Sequence, residues 1–283
     1  MSFHGRKIKV NNINLNVVVE GQGRPVILLH GFPDSARIWR NQITFLTGHG
    51  FQVIVPDLRG FGDSDAPNGK KNYALENIIG DVTALMDLLG INQAPVVGHD
   101  WGAVIGWILA IKHPERVERY VAISVGHPRA YRSDFIQKLR SWYAVLFQIP
   151  FLSELGISAI DWFLLRKLTG SHAETNNWIS DLSRNGRLTA GLNWYRANFS
   201  RLLFDDFPNV KVPVFGIWSS GDIFLSRGQM LKSAAYVDGP WRYERIDGAS
   251  HWIPLDVPER LNHLLLDYLK SVPSSSSISQ EKA

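Results

Sequence analysis

Cysteine is absent from the 283-residue chain. That removes disulfides, thiolate zinc sites, iron–sulfur clusters and thiol catalysis together. It fits a reducing compartment, and a cytoplasmic location is the expectation. Runs of like charge are also missing. Thirty Lys and Arg stand against 26 Asp and Glu, a net charge of +4 without a basic cluster, so no nucleic-acid partner is expected. The first ten residues, MSFHGRKIKV, lack an apolar secretory core, and no signal peptide is expected. The most apolar long stretch, 142–165, is interrupted by Gln148, Pro150, Glu154 and Asp161. It is a poor bilayer span and reads as buried or amphipathic helices rather than a membrane contact. No histidine pair has metal-ligand spacing such as His-Glu-x-x-His, and neither a metal nor an organic cofactor is expected.

What is present can build a core. Hydrophobic residues make up 45% of the chain, with 10 Trp, 14 Phe and 8 Tyr, which rules out disorder throughout. The length suits one or two domains. Residues 6–20 alternate around Asn11-Asn12 and predict a hairpin. Six short apolar runs follow: 25–29 (PVILL), 52–55 (QVIV), 94–97 (APVV), 120–124 (YVAIS), 212–218 (VPVFGIW) and 241–246 (WRYERI). Continuous apolar runs suit parallel strands buried on both faces. Helical spacing fills the gaps, as in Leu75, Ile78, Ile79, Val82, Leu85, Met86 and Leu89, stopped by Gly90. Segments 104–111 and 260–270 have the same spacing. The alternation predicts a doubly wound α/β sheet. It breaks once: residues 128–207 are aromatic-rich and helical, with no convincing strand, and read as an inserted lid. The expected division is therefore a core of 1–127 and 208–272, a helical cap of 128–207, and a low-complexity, disordered tail of 273–283.

The third parallel run ends in Gly98-His99-Asp100-Trp101-Gly102 before a helix. Small–x–acid–x–small between strand and helix is the pattern of a nucleophile elbow, with aspartate where serine is usual. An ionised carboxylate needs no base to attack carbon, and a helix N-terminus favours its charge. It suits displacement at a saturated carbon of an epoxide or an alkyl halide. On these five residues alone, a plain helix cap is a rival reading of Asp100. Cleaving the resulting ester needs a base for water. His251, in Gly248-Ala249-Ser250-His251-Trp252 after the last run, stands where the chain order nucleophile–acid–histidine requires it. His30 and His99 lie inside turn motifs and read as structural. Asp222, in Ser219-Ser220-Gly221-Asp222 after the fifth run, would orient the imidazole. The backbone N–H groups of Phe32 and Trp101 could converge on the oxyanion of the Asp100 ester, since Pro33 cannot donate.

These segments, together with His30-Gly31-Phe32-Pro33 and the run Asp57-Leu58-Arg59-Gly60-Phe61-Gly62-Asp63-Ser64-Asp65, resemble the α/β-hydrolase superfamily and, within it, the aspartate-nucleophile epoxide hydrolases. The resemblance covers the chain except its tail. It implies a cap after the fourth parallel strand and two cap tyrosines that bind and protonate the epoxide oxygen. Tyr195 in Asn193-Trp194-Tyr195-Arg196 matches one tyrosine motif, and Tyr143, five residues before Gln148, matches the other. Tyr131, Tyr236 and the cap tryptophans read as pocket wall or core. Haloalkane dehalogenases share the aspartate and the residue at Trp101. Their second halide donor is commonly an asparagine, where this chain has Phe32. Fluoroacetate dehalogenases have an arginine where Trp101 stands. A non-catalytic ligand receptor on the same fold is the remaining alternative. The expectation is hydrolysis of an apolar epoxide by Asp100, Asp222, His251, Tyr143 and Tyr195, with water as the second substrate.

Overall fold

The computed structural model describes residues 3–271. The tail expected to be disordered lies outside the described residues. Strands β1 (Arg6–Val10) and β2 (Ile13–Glu20) form the antiparallel hairpin, turning at Asn11 and Asn12. Then come β3 (Arg24–Leu29), α1 (Arg40–Thr47), β4 (Phe51–Pro56), α2 (Leu75–Leu88), β5 (Ala94–His99), α3 (Trp101–Lys112) and β6 (Val117–Ile123). Six helices follow before the sheet resumes: α4 (Pro128–Ser133), α5 (Phe135–Arg140), α6 (Trp142–Leu146), α7 (Leu152–Leu168), α8 (Thr175–Ser183) and α9 (Arg187–Phe204). The chain continues through β7 (Val214–Ser219), α10 (Arg227–Lys232), β8 (Trp241–Ile246), α11 (Ile253–Asp256) and α12 (Pro258–Lys270).

The eight strands form one sheet in the order β1-β2-β4-β3-β5-β6-β7-β8, parallel from β4 to β8. Each apolar run of the sequence therefore lies within a strand, with ends shifted by a few residues. Burial on both faces explains why those runs do not alternate, except in β8, which lies at the sheet edge and is mostly half-buried. In β3, Ile27 and Leu29 pack into the core with Trp107 and Tyr120, while Val26 and Leu28 pack into the other with Trp39 and Phe215. Strand order reverses between β3 and β5, the place where an open α/β sheet leaves a crevice at its carboxyl edge.

The helices between β6 and β7 are tied to the sheet by buried polar groups. Trp194 donates its indole N–H to the Arg59 carbonyl at 3.0 Å. Asn198 accepts from Leu75 N at 2.9 Å and donates to the Tyr73 carbonyl at 2.8 Å. Trp178 donates to the Asp34 carboxylate at 2.6 Å. The backbone of α7 leaves helical geometry at Ala159–Trp162, and Ile160, Asp161 and Trp162 have positive φ. Trp178 and Trp194 are fully buried, as expected of core tryptophans, but Trp142 is not: half of its surface faces solvent. It sits on the outer face of α6, whose inner face is filled by Tyr143 and Ala144.

Arg59 and Asp81 form an ion pair at 2.7 and 2.8 Å, each with only 2% of its side chain exposed. A further Arg59 N–H satisfies the Asn72 carbonyl at 2.8 Å. Removing one partner leaves the other charge buried and unpaired. Arg59→Met is expected to destabilise the fold by about 3–5 kcal/mol, read from the shift of the urea unfolding midpoint. A loss no larger than that of an exposed pair would show that the charge is not sequestered.

Candidate active site

Asp100 follows β5 directly and precedes α3, with φ 54° and ψ −120°. For a residue with a Cβ this is a strained conformation, worth about 1–3 kcal/mol. Its neighbours make it possible. A Cβ at Gly98 would lie 2.3 Å from the Gly102 carbonyl oxygen, and one at Gly102 would lie 2.1 Å from the Leu29 carbonyl oxygen. The strand and helix can approach this closely only because both flanking positions lack side chains. A Cβ at Gly31 would strike the Asp100 carboxylate itself at 2.3 Å.

The Asp100 side chain does not cap the helix it precedes. Its Oδ1 instead accepts from the Phe32 N–H at 2.9 Å. Burial pushes the Asp100 carboxyl above its ordinary pKa, and His251 with the Trp101 and Phe32 N–H groups pulls it back. The helix-cap reading therefore loses its main support, and the predicted pair of backbone donors meets at this carboxylate.

His251 lies after β8, and Asp222 after β7. Asp222 Oδ2 is 2.8 Å from His251 Nδ1, and Asp222 Oδ1 accepts from the Phe224 and Leu225 N–H groups at 2.9 Å each. Burial opposes the Asp222 charge, yet His251 and these donors hold its pKa below the usual range. Burial likewise opposes charge on His251, but Asp222 and Asp100 together hold its pKa above the usual value. His251 Nε2 is 3.7 Å from Asp100 Oδ2. This exceeds hydrogen-bond length, so the ring faces the carboxylate without being consumed by it.

Tyr143 from α6 and Tyr195 from α9 reach the same place. Their rings are 6.2 Å apart, and Tyr195 packs edge-on to Trp101 at 5.0 Å and to Phe32 at 5.8 Å. Burial raises both phenols well above their ordinary pKa, and the Asp100 charge raises them further. Both therefore keep their protons over any ordinary pH range.

Two chambers meet at this cluster. One is lined by Asp100, Tyr143 and Tyr195 together with Val104, Leu202 and Leu203. The other shares those three residues and extends past Phe32, Leu165 and His251. Tyr131 lines the first chamber, as read from the sequence, while Tyr236 stacks on His127 away from it. His30 accepts the Leu58 N–H at 2.9 Å and His99 lies 2.9 Å from the His251 carbonyl, both as structural hydrogen-bonders. Burial drives His99 down to about 3, so it stays neutral beneath the cluster.

Some residues around the site carried no readable motif. Arg140 donates to the Asp222 and Leu225 carbonyls at 2.7 Å each. Gln137 accepts from the Ser226 N–H at 2.7 Å and donates to the Phe224 carbonyl at 3.0 Å. Helix α5 thus grips the loop that carries Asp222. Asp134 caps α5 by accepting the Gln137 N–H at 2.9 Å. Its further partners, Ser226 and Lys232, lie 92 and 98 positions away. Asp34, raised to about 6 by burial, anchors the turn after Phe32-Pro33 to Trp178 of α8.

The comparisons agree with this geometry. The alpha/beta hydrolase fold family matches residues 24–258. Epoxide hydrolase 3 of Xenopus tropicalis is 33% identical over 95% of this chain and 79% of its own length. The AB hydrolase superfamily protein YfhM of Bacillus subtilis is 35% identical over 93% of this chain and 97% of its own. Among solved structures, epoxide hydrolase A from Mycobacterium thermoresistibile superposes with a TM-score of 0.82 at 27% identity, covering 95% of this chain and 99% of that one. An inhibitor complex of the Bacillus megaterium epoxide hydrolase gives 0.84 at 28% identity, covering 94% and 100%. With the strained aspartate turn and the β-sheet order already pointing the same way, the chain belongs to the alpha/beta hydrolase fold family and, within it, to the epoxide hydrolases.

Proposed function

We propose that this protein hydrolyses apolar epoxides to vicinal diols through a covalent ester on Asp100. The observation that carries the reading is an uncapped carboxylate at a strained turn, faced by two buried phenols and by a histidine–aspartate pair. Asp100 attacks a ring carbon from the side opposite the C–O bond, which breaks. Tyr143 and Tyr195 bind the departing oxygen, and one of them supplies its proton. His251, oriented by Asp222, then takes a proton from water, and the resulting hydroxide adds to the ester carbonyl carbon. The Phe32 and Trp101 N–H groups hold the oxyanion until the acyl C–O bond breaks. The proton on His251 and that of the added hydroxyl pass to the departing diol oxygen and to the phenolate, so the diol leaves and Asp100 is restored as a carboxylate. No step calls for a metal or organic cofactor.

Within this reading, 128–207 act as a cap on a core formed by 1–127 and 208–272. The buried bonds from Trp178, Trp194 and Asn198 to the sheet support that division. The apolar chamber walls support an apolar substrate, and the absence of cysteine supports a cytoplasmic setting. Halide departure would need N–H donors and no proton. Phe32 has no side-chain N–H, and the phenols would have no task, so epoxides are favoured over haloalkanes. A receptor would have no use for the His251–Asp222 pair.

The deciding test is the intact mass of His251→Gln after incubation with aryl and alkyl epoxides and haloalkanes. A gain equal to a whole epoxide, lost when Asp100 is also replaced by Ala, is expected. A gain of an alkyl group without its halide would make the protein a dehalogenase, and no adduct would overturn covalent catalysis by Asp100.

Tyr195→Phe is expected to slow ester formation by about a hundredfold, the usual scale of a general acid. Adding Tyr143→Phe should nearly abolish it. Stopped-flow tryptophan fluorescence reads this step. Equal rates in wild type and the double variant would exclude the phenols as proton donors.

Esterification removes the Asp100 charge, one of the charges that raise the His251 pKa. The working base is the neutral imidazole, so ester hydrolysis accelerates as pH rises through that pKa. The acid limb of single-turnover hydrolysis is therefore expected at a lower pH than the NMR titration of His251 in the resting enzyme. Coincident curves would show that Asp100 and His251 are not electrostatically coupled.

A further inference from the structure

Twelve of the sixteen large apolar side chains left exposed among the described residues fall between Phe135 and Phe163. The other four, Leu88, Phe204, Ile223 and Leu231, are scattered through the chain. Single exposed apolar residues are ordinary, but a concentration of this kind on one segment marks an interaction surface. It spans α5, α6 and α7 as far as Phe163, and overlaps the 142–165 stretch that the sequence suggested would be buried or amphipathic. Phe151 is 86% exposed and Leu155 is 64% exposed. Among the described residues, no helix is long and apolar enough to cross a membrane, so the face does not belong to a span.

Charge narrows the occupant. Glu154 is bound by Arg196 at 2.7 Å, and Asp161 lies 3.3 Å from Arg166. Lys138 within the segment and Lys167 just beyond it are exposed without an ion-pair partner among the described residues, and the Lys167 ammonium lies 5.6 Å from the Phe163 ring centre. The face is thus apolar with free positive charge at its margins. Anionic headgroups above an apolar phase complement both features. A second copy related by a two-fold axis would bring these unpaired lysines towards one another.

Continuity with the site points the same way. A groove on this face is lined by Trp142, Leu146, Ile149 and Leu152, and it is backed by Tyr143, Phe147, Ile157 and Leu168. Those last four side chains also line the inner chamber beside His251. One layer of side chains separates the exposed groove from the site. A second copy would close this route; a lipid surface would place it against the phase in which apolar molecules concentrate.

We propose that the α5–α7 face docks on an anionic lipid surface, with the groove as the point of entry for apolar substrate. Docking is independent of the reaction; only the identity of the substrate rests on the epoxide reading. The test is flotation of the full chain with phosphatidylcholine vesicles and with mixed phosphatidylcholine–phosphatidylglycerol vesicles. Binding to the mixed vesicles, weakened by salt and reduced by at least about tenfold in the double variant Phe151→Glu, Leu155→Glu, is expected. Neither residue lines the groove or the chambers, so turnover of a water-soluble epoxide should match wild type, while turnover of a vesicle-borne alkyl epoxide should fall. Normal turnover of both epoxides by wild type and variant, with no flotation, would overturn docking while leaving the reaction intact. A dimer in wild type that the variant abolishes, seen by sedimentation without vesicles, would assign the face to a second copy instead.

Discussion

The whole arrangement hangs on one turn. Asp100 adopts φ 54° and ψ −120°, and three glycines hold the space it needs. Gly98 lets β5 and α3 cross within contact distance, Gly102 lets α3 approach the end of β3, and Gly31 lets the β3 loop reach the carboxylate. The turn aims the side chain away from its own helix and into the crevice, where strand order reverses. Strain at such a point persists only when surrounding packing over-determines it. Here the packing is substantial: β5 is buried along its full length, and α3 is apolar on nearly every face.

Much of this was legible because the physics is local. An elbow needs small residues at fixed offsets from the acid, so Gly98, Asp100 and Gly102 could be recognised within five positions. Strands buried on both faces need continuous apolar runs, so the parallel strands inside the sheet stood out, and the end of each run marked the sheet edge where Asp100, Asp222 and His251 gather. The six helices between β6 and β7 were visible as a break in that alternation. What could not be read was long-range. Arg140 and Gln137 look like ordinary polar residues of a short amphipathic helix, yet their partners are carbonyls and N–H groups some 85 positions away on the Asp222 loop. Backbone partners leave no signature in sequence. The break in α7 was equally hidden, since Ile160 and Trp162 are unusual residues at positive φ and neither glycine nor asparagine marks the site. Trp142 was misread for a related reason: an apolar helix shows which residues avoid water on average, not which face finds a partner.

The grip of α5 on the Asp222 loop changes how the helical segment should be viewed. Two of its helices contribute phenols to the chambers, and a third supplies the side chains that hold the acid's loop. On the opposite side, Asp34 joins the Phe32-Pro33 turn to α8. The Phe32-Pro33 turn and the Asp222 loop are therefore both braced by the helices above them. Moving those helices as a body would disturb Phe32 and Asp222 together. Access to the chambers is then easier through local side-chain motion, such as at the layer formed by Tyr143, Phe147, Ile157 and Leu168, than through wholesale opening.

Electrostatics within the proposed reaction follow from moving one negative charge a short distance. At rest the charge sits on Asp100, held by the Phe32 N–H, and it raises the pKa of both phenols. Attack on the epoxide neutralises the carboxylate as the charge develops on oxygen at the phenols. The same event that creates the base therefore removes a charge that had made the phenols reluctant donors. It also removes part of the attraction that raises the His251 pKa, so the imidazole is more readily neutral when the ester has formed and water must be activated. A serine at this position could supply neither change, because its resting state is neutral. In the proposed reaction the aspartate thus does more than replace a nucleophile: the loss of its charge eases proton donation by the phenols and then proton uptake by His251.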